Sequence, residues 1–427
     1  MIDIIKEALA AEGIALWRIN VSLKEGAELY FVKNKLDLSR QTSLRTYSVT
    51  VFRAFEKNGK EMLGMSTATI SPSASPDSVR ASLADAYFGA SFVANPTFSM
   101  PEAVVAPTVE LPASLRALSL SEVATQMAAA LYRADTDADA LINSSELFVS
   151  RATERVLSSY GTDVAYETFS VDGEFVVQCK EPQDVEMYHS FRYDKPDGDA
   201  LCQKAKDALR YVKDRAKAGQ RLAGGEYTVL LSHDHVKDLF AYFVDRADAS
   251  MIYSGYSTYQ VGESVQSENR SGEAISVTLR ARHPYSDTGV PMIDRPLFRD
   301  GKLCCIAGSD RFCSYLGVPM TGYYTSFVAE GGTRSFADLQ KEPHLYVVSF
   351  SDFQVDELSG HFGGEIRLAY YYDGQTTRIV TGGSINGSIA DCKDSLIFSL
   401  EQYDSLPYRG PLAVRIPAVK VAGTEEA

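Results

Sequence analysis

Alternation of apolar and polar positions organises the first part of the chain. In "ALWRINVS" (15–22) and "YSVTVFRAF" (47–55) the side chains alternate as a half-buried strand requires. After the turn "EKNGK", the stretch "EMLGMSTATI" (61–70) reads as their pleated partner. The N-terminal "MIDIIKEALAAEGIALW" carries Asp3, Lys6, Glu7 and Glu12, so it predicts a short amphipathic helix and not an apolar leader. A second helix is predicted within 71–92. Ser75 is its cap, Pro76 takes the first helical position, and Asp77 lies near the positive end of the dipole. Spaced prolines make 96–118 a connector, and Ser119 with Glu122 has the spacing of a capping box for the next helix.

Four strands follow between 140 and 193: "LINSSELFVSR", "YETFSV", "EFVVQC" and "VEMYHSFRY". An amphipathic helix spans 198–219, with Gly219 as its expected C-cap. "EYTVLL" (226–231) is a buried strand. Immediately after it, Val236, Leu239, Phe240, Phe243 and Val244 recur at helical spacing, with Ser232 or Asp234 as the expected N-cap. Beyond 270 the strands are "AISVTLRAR", "HLYVVSF", "EIRLAYYYDG", "TRIVTGGSI" and "LAVRIPAV". Helices are predicted at "SDRFCSYLG" and "GSIADCKDSLIFSLEQY", and "AGTEEA" is a polar tail. The expected fold class is α+β with two mixed strand/helix domains. Residues 1–220 form the first, with 96–118 as connector, and the sheet-rich second spans 221–427, the boundary falling at "RLAGGE".

Charge narrows the function. A net charge of −14 and the lack of any Lys/Arg-rich run leave nothing to neutralise a phosphate backbone, so no nucleic-acid partner is expected. No apolar run reaches the length of a membrane span, and no membrane partner is expected either. Six cysteines are scattered without a Cys-x-x-Cys pair, which suits reduced thiols and a cytoplasmic location.

Three places offer candidate chemistry. His233 and His235 flank Asp234 at the strand-to-helix junction, but ligands two residues apart there do not converge, and only His189, His283, His344 and His361 remain to complete a zinc site. Capping and surface histidines are expected. In "DTDADALINSSE", Asp135, Asp137, Asp139, Asn143 and Glu146 match positions 1, 3, 5, 9 and 12 of a calcium loop. Ala140 stands where that loop needs glycine, and a strand-like segment follows, so an acidic loop is expected instead. In "RHPYSD", His283, Ser286 and Asp287 lie close in sequence, whereas catalytic triads are assembled in space. The glycine pairs "AGGE", "EGGT" and "FGGE" lack the context of a phosphate loop and read as turns.

The order of several blocks carries a resemblance. "ELYFVKNKLDLSRQTSLRTYSVTVFR" with "GMSTATIS", then "GEYTVLLSHDHVKDLFAYFVDRADAS", "YSDTGVPMIDRPLFRDGKLCCIAGSDRFCSYLGVPMTGYY" and "SGHFGGEIRLAYYYDGQTTRIVTGGSINGSIADCKDSL" run collinear with the TldD/PmbA family. That family has been named for modulation of DNA gyrase and is also classed among peptidases. Two of its steps are altered here to "SGHFG" and "INGSI". In the TldD branch the central helix carries His-Glu-x-x-x-His, two metal ligands and a general base. The resemblance sets Ala241 and Tyr242 at the His-Glu positions and Arg246 at the second His. Alanine has no lone pair to give, and a guanidinium does not ligate a cation. The chain therefore resembles the PmbA/TldE branch, which lacks the motif.

This resemblance implies a non-catalytic subunit of a cytoplasmic TldD/TldE-type metallopeptidase, with no cofactor in this chain and zinc in a TldD-like partner. The substrate would be a peptide or an unfolded segment, held in a cleft of a heterodimer or a homodimer. Two alternatives stay open. One is a stand-alone hydrolase with a site rebuilt from His233, His235, His283, Asp287 and His361. The other is a homodimeric binding or scaffold protein.

Overall fold

The structure is a computed structural model and describes residues 1–219 and 221–423, so most of the predicted tail "AGTEEA" lies outside the described residues. Helix α1 (Ile2–Ala11) leads into β1 (Leu16–Val32), β2 (Lys35–Lys57) and β3 (Lys60–Ile70). Helix α2 (Pro76–Ala90) is capped by Ser75, whose hydroxyl accepts the Ser78 N–H, as its sequence predicts. The connector holds one turn of helix, α3 (Ala113–Arg116), and touches the sheet through Val105 and Val109. Then come α4 (Leu120–Tyr132), capped by Ser119, and β4 (Ala140–Ser158), β5 (Asp163–Cys179), β6 (Val185–Tyr193) and α5 (Gly198–Lys217).

The six strands form one antiparallel sheet in the order β3-β2-β1-β4-β5-β6. Odd-numbered residues of β1 point to one face. Ile19 and Val21 pack with α1 and α2, and Ala27 packs with α4 and α5, so two helix pairs lie side by side on that face. On the opposite face Val156 and Val164 meet Tyr285, a residue of the second half. The predicted strands "YETFSV" and "EFVVQC" are one continuous strand, β5. Gly173 joins them because a Cβ there would come within 2.1 Å of the Glu146 carbonyl and 2.8 Å of the Phe191 ring. Gly219 does not act as a left-handed cap, since α5 ends at Ala218 in an extended conformation.

The second half begins with β7 (Gly225–Ser232), α6 (Asp234–Arg246) and α7 (Ala249–Tyr253). Short strands β8 (Val277–Leu279), β9 (Arg295–Arg299) and β10 (Lys302–Leu303) follow, then α8 (Asp310–Leu316), ended by left-handed Gly317, β11 (Phe327–Ala329) and α9 (Phe336–Leu339). Next are β12 (His344–Val355), β13 (His361–Tyr372), β14 (Thr377–Val380), β15 (Ser384–Ser388) and α10 (Ile389–Cys392). The chain closes with β16 (Ile397–Phe398), β17 (Gln402–Ser405), β18 (Tyr408–Pro411) and β19 (Ala413–Ala422).

The long helix predicted over "GSIADCKDSLIFSLEQY" is a single turn, α10. Ile397 and Phe398 are taken into pairing with β19, and Gln402–Ser405 pairs with β18, so ladder formation overrides the helical spacing. Strands β12-β7-β19-β15-β13 pair in sequence, and β13 returns to β12, so these five close into a ring, with β14 and β16 added as short edge strands on β13 and β19. A second sheet, β10-β9-β8-β11-β18-β17, lies beside it. Helix α6 is wedged between the two. Its buried Val236, Leu239, Phe240 and Phe243 meet Phe298, Phe398 and Tyr408, and Val244 is only partly buried. No helix among the described residues is long and apolar enough to cross a membrane.

Candidate functional site around helix α6

Helix α6 starts directly from a buried strand, and the turn between them is tight. His233 makes that turn at φ 57°, ψ −125°, and it occupies the N-cap position without a side-chain capping bond, where Ser232 or Asp234 was expected to cap. Ser232 is instead occupied with Tyr346, hydroxyl to hydroxyl at 2.9 Å, and lies 2.9 Å from His233 Nδ1. The His233 ring sets its edge against Tyr403, 5.0 Å between centroids, and desolvation followed by Lys204 lowers its pKa. His235 sits between Phe350 and Phe353, with centroids 4.9 and 5.0 Å away, and desolvation pushes its pKa down to about 4. Both rings are neutral at pH 7; His235 is half-buried packing between two rings, and His233 stays exposed at the surface.

The other end of α6 has different chemistry. Ala241 and Tyr242 are half-buried against the core, and the Tyr242 ring lies under Gly360. Gly360 has φ +74°, a backbone region that favours glycine, and a Cβ there would crowd the tyrosine ring at 3.0 Å. Arg246 reaches between two rings, 5.8 Å from the Tyr242 centroid and 5.6 Å from that of Tyr259. Its Nη1 donates to the Leu358 carbonyl at 2.8 Å, which ties the helix to the β12–β13 turn. This tyrosine–arginine–tyrosine stack closes the end of the helix. A methyl group, a phenol and a guanidinium do not form a donor set for zinc. Among the described residues no three His, Cys, Asp or Glu side chains converge as metal ligands.

Beside the stack runs an open groove of about 460 Å³, walled by Asp245, Asp356, Glu357, His361 and Asn386. Burial, then Glu357 and Asp248, raises the Asp245 pKa to about 6. Tyr323 stands near the same three acids, and burial followed by their charges raises its pKa. Asp356 is committed to the turn, where its carboxylate accepts the Ser359 N–H and hydroxyl, each at 2.6 Å. The groove is thus an acidic surface, suited to cationic or amide groups. Asp245 was not among the residues the sequence marks out. Its place next to Val244, at the edge of the apolar stripe, is the signal that it would be half-buried.

The remaining sequence candidates do not come together. From Asp234 to Asp245 the helix runs roughly 16 Å, so the histidines at its mouth stand far from the groove that His361 lines. His283 stacks on Tyr166 at 5.2 Å, while the Ser286 hydroxyl lies 2.8 Å from that of Thr288 and accepts the Val290 N–H. Asp287 is exposed, and its backbone carbonyl accepts from Asn20. In the calcium-like segment Asp135 accepts the Ile142 N–H and Asp137 pairs with Lys213. Asn143 donates to Glu186, and both Asn143 and Glu146 lie within β4, so the segment leads into a strand as expected and not into a calcium-loop helix. His344 holds the Glu342 carbonyl at 2.8 Å, and His189 stacks on Phe175 with its pKa pushed by burial down to about 4.

Known proteins resemble this architecture throughout its length. The family model described as PmbA/TldA metallopeptidase C-terminal domain matches residues 224–425. The crystal structure of TldE from Thermococcus kodakarensis is similar over 98% of this chain and 100% of its own, at 16% identity and a TM-score of 0.77. A proposed modulator of a DNA gyrase from Thermotoga maritima is similar over 98% of this chain and 99% of its own, with the same identity and score. A further proposed gyrase modulator, from Bacteroides thetaiotaomicron, is similar over 99% of this chain and 98% of its own, at 12% identity and a TM-score of 0.79. No curated protein matches the chain.

Proposed function

Since the chain belongs to the TldD/PmbA family through residues 224–425, we propose that it is the non-catalytic member of a two-subunit metallopeptidase. The observation that carries this reading is the stack of Tyr242, Arg246 and Tyr259 closed under Gly360, together with Ala241. These residues occupy the helix where a metal-binding relative would carry His-Glu-x-x-x-His, and their chemistry does not fit zinc. No step of hydrolysis is assigned to them. The partner, a TldD-like chain, supplies zinc and the general base, and this chain shapes the cleft. The acidic groove at Asp245, Glu357 and His361 then serves to hold an extended peptide or unfolded segment, with main-chain contacts for affinity and side-chain pockets for selectivity. A cytoplasmic setting agrees with six free cysteines.

Co-expression with a family member carrying His-Glu-x-x-x-His tests the proposal. The expected result is a co-purifying complex that cleaves unstructured peptides, while this chain alone does not. Turnover by this chain alone, or failure of the two to associate, would overturn it.

A further inference from the structure

A second cavity, of about 360 Å³, lies where the first sheet meets the second half of the chain. In a chain of net charge −14, its wall gathers Lys195, Arg280 and Arg282 together with His283. Arg280 and Arg282 project from the segment just past β8, and Arg192 stands close enough to press on Arg282, so like charges face one another. None of Lys195, Arg280 and Arg282 forms an ion pair or a side-chain hydrogen bond among the described residues. Two carboxylates line the same wall. Glu167 is already used, accepting the Leu111 N–H at 2.9 Å, and Asp194 attracts Arg282 without forming an ion pair. Three cations against one unbonded carboxylate leave the wall net positive, and the cavity leaves room for an added anion.

The rest of the lining says what carries that charge. Leu111, Leu115, Phe169 and Leu406 form an apolar wall beside the cations. Guanidinium forks match the two oxygens of a carboxylate, and the apolar wall takes a hydrocarbon body. The volume suits a side chain with its carboxylate. We infer that this cavity is a subsite for the free C-terminal carboxylate of a peptide whose last side chain is apolar. The inference rests on the peptide-handling reading above and names the end of the peptide that this chain holds. The acidic groove beside α6 is of opposite sign and would repel that carboxylate.

Isothermal titration of the purified full chain with matched hexapeptides ending in Leu, one a free acid and one a C-terminal amide, tests this. The free acid should bind at least tenfold more tightly than the amide. Arg282→Gln and Arg280→Gln should each remove most of that difference, and Arg282→Lys, which keeps the charge and loses the fork, should restore only part of it. Melting temperatures near that of the wild type ensure that the variants are folded, and having two independent arginines covers the loss of either. Equal binding of acid and amide overturns the subsite while leaving a peptide-handling role standing. Millimolar inorganic phosphate that displaces the free acid completely overturns the peptide assignment in favour of a general oxyanion pocket. Binding of neither peptide overturns the inference, and the proposed function is then judged by the co-expression assay.

Discussion

The two ends of helix α6 make an instructive pair. The mouth carries His233 and His235, residue types that suit a metal, yet each ring faces a different aromatic group and neither has a companion ligand. The far end carries alanine, tyrosine and arginine, which suit no metal, yet it borders an open groove with a half-buried carboxyl group titrating near neutrality. Residue type draws attention to the mouth, whereas convergence of acidic groups and access to solvent lie at the far end.

The largest effect on this comparison comes from the side chain that seats both ends. Phe243 is buried against Phe298, and Phe243→Ala should lower stability by about 3–5 kcal/mol in urea unfolding, loosening mouth and groove together. Arg246→Ala removes the bond to Leu358 and both ring contacts, at about 1–2 kcal/mol. Its selective sign is faster amide exchange at 356–360 with the mouth unaffected. A change confined to the mouth would contradict the division between the ends.

Asp245 gives a smaller, pH-dependent effect. Its folded pKa is raised from the ordinary 3.8 to about 6, so across that window the native state holds a proton that the unfolded chain has lost. Wild-type stability therefore falls as pH rises through the window. Asp245→Asn should be the more stable form above pH 6 by on the order of 1 kcal/mol, solvent screening allowed for, and the advantage should vanish below about pH 4. Stability curves measured at pH 4 and 7.5 check the sign. The smallest effect belongs to His361→Ala, an exposed change expected to stay within about 0.5 kcal/mol.

Much of the first half was legible because its strands alternate and its helices announce their caps, as at Ser75 and Ser119. What was missed there was length. β1 and β2 run to 17 and 23 residues because β1 is paired on both sides, which keeps the charged stretch around Lys24 and Glu25 extended. The second half hid more. Strands of two to four residues such as β10, β16 and β17 leave too few positions to show a period, and each is defined by the partner it pairs with: β9, β19 and β18. The apolar stripe of α6 was readable at Val236, Leu239, Phe240 and Phe243. The groove was not, because Asp245 on the helix meets Glu357 and His361 from a turn more than a hundred residues away, a meeting that no local pattern encodes. Arg280 and Arg282 were visible in the sequence, but that they share a wall with Lys195, while Glu167 is taken up by the Leu111 N–H, becomes clear only in the fold.

We propose that the far end of α6 is closed to metal, and the metal content of the chain decides it. Elemental analysis of the chain, expressed alone in zinc-supplemented medium and desalted without chelator, should find zinc far below one equivalent. One tightly held zinc per chain, lost on Arg246→Ala or Tyr242→Ala, would contradict the account.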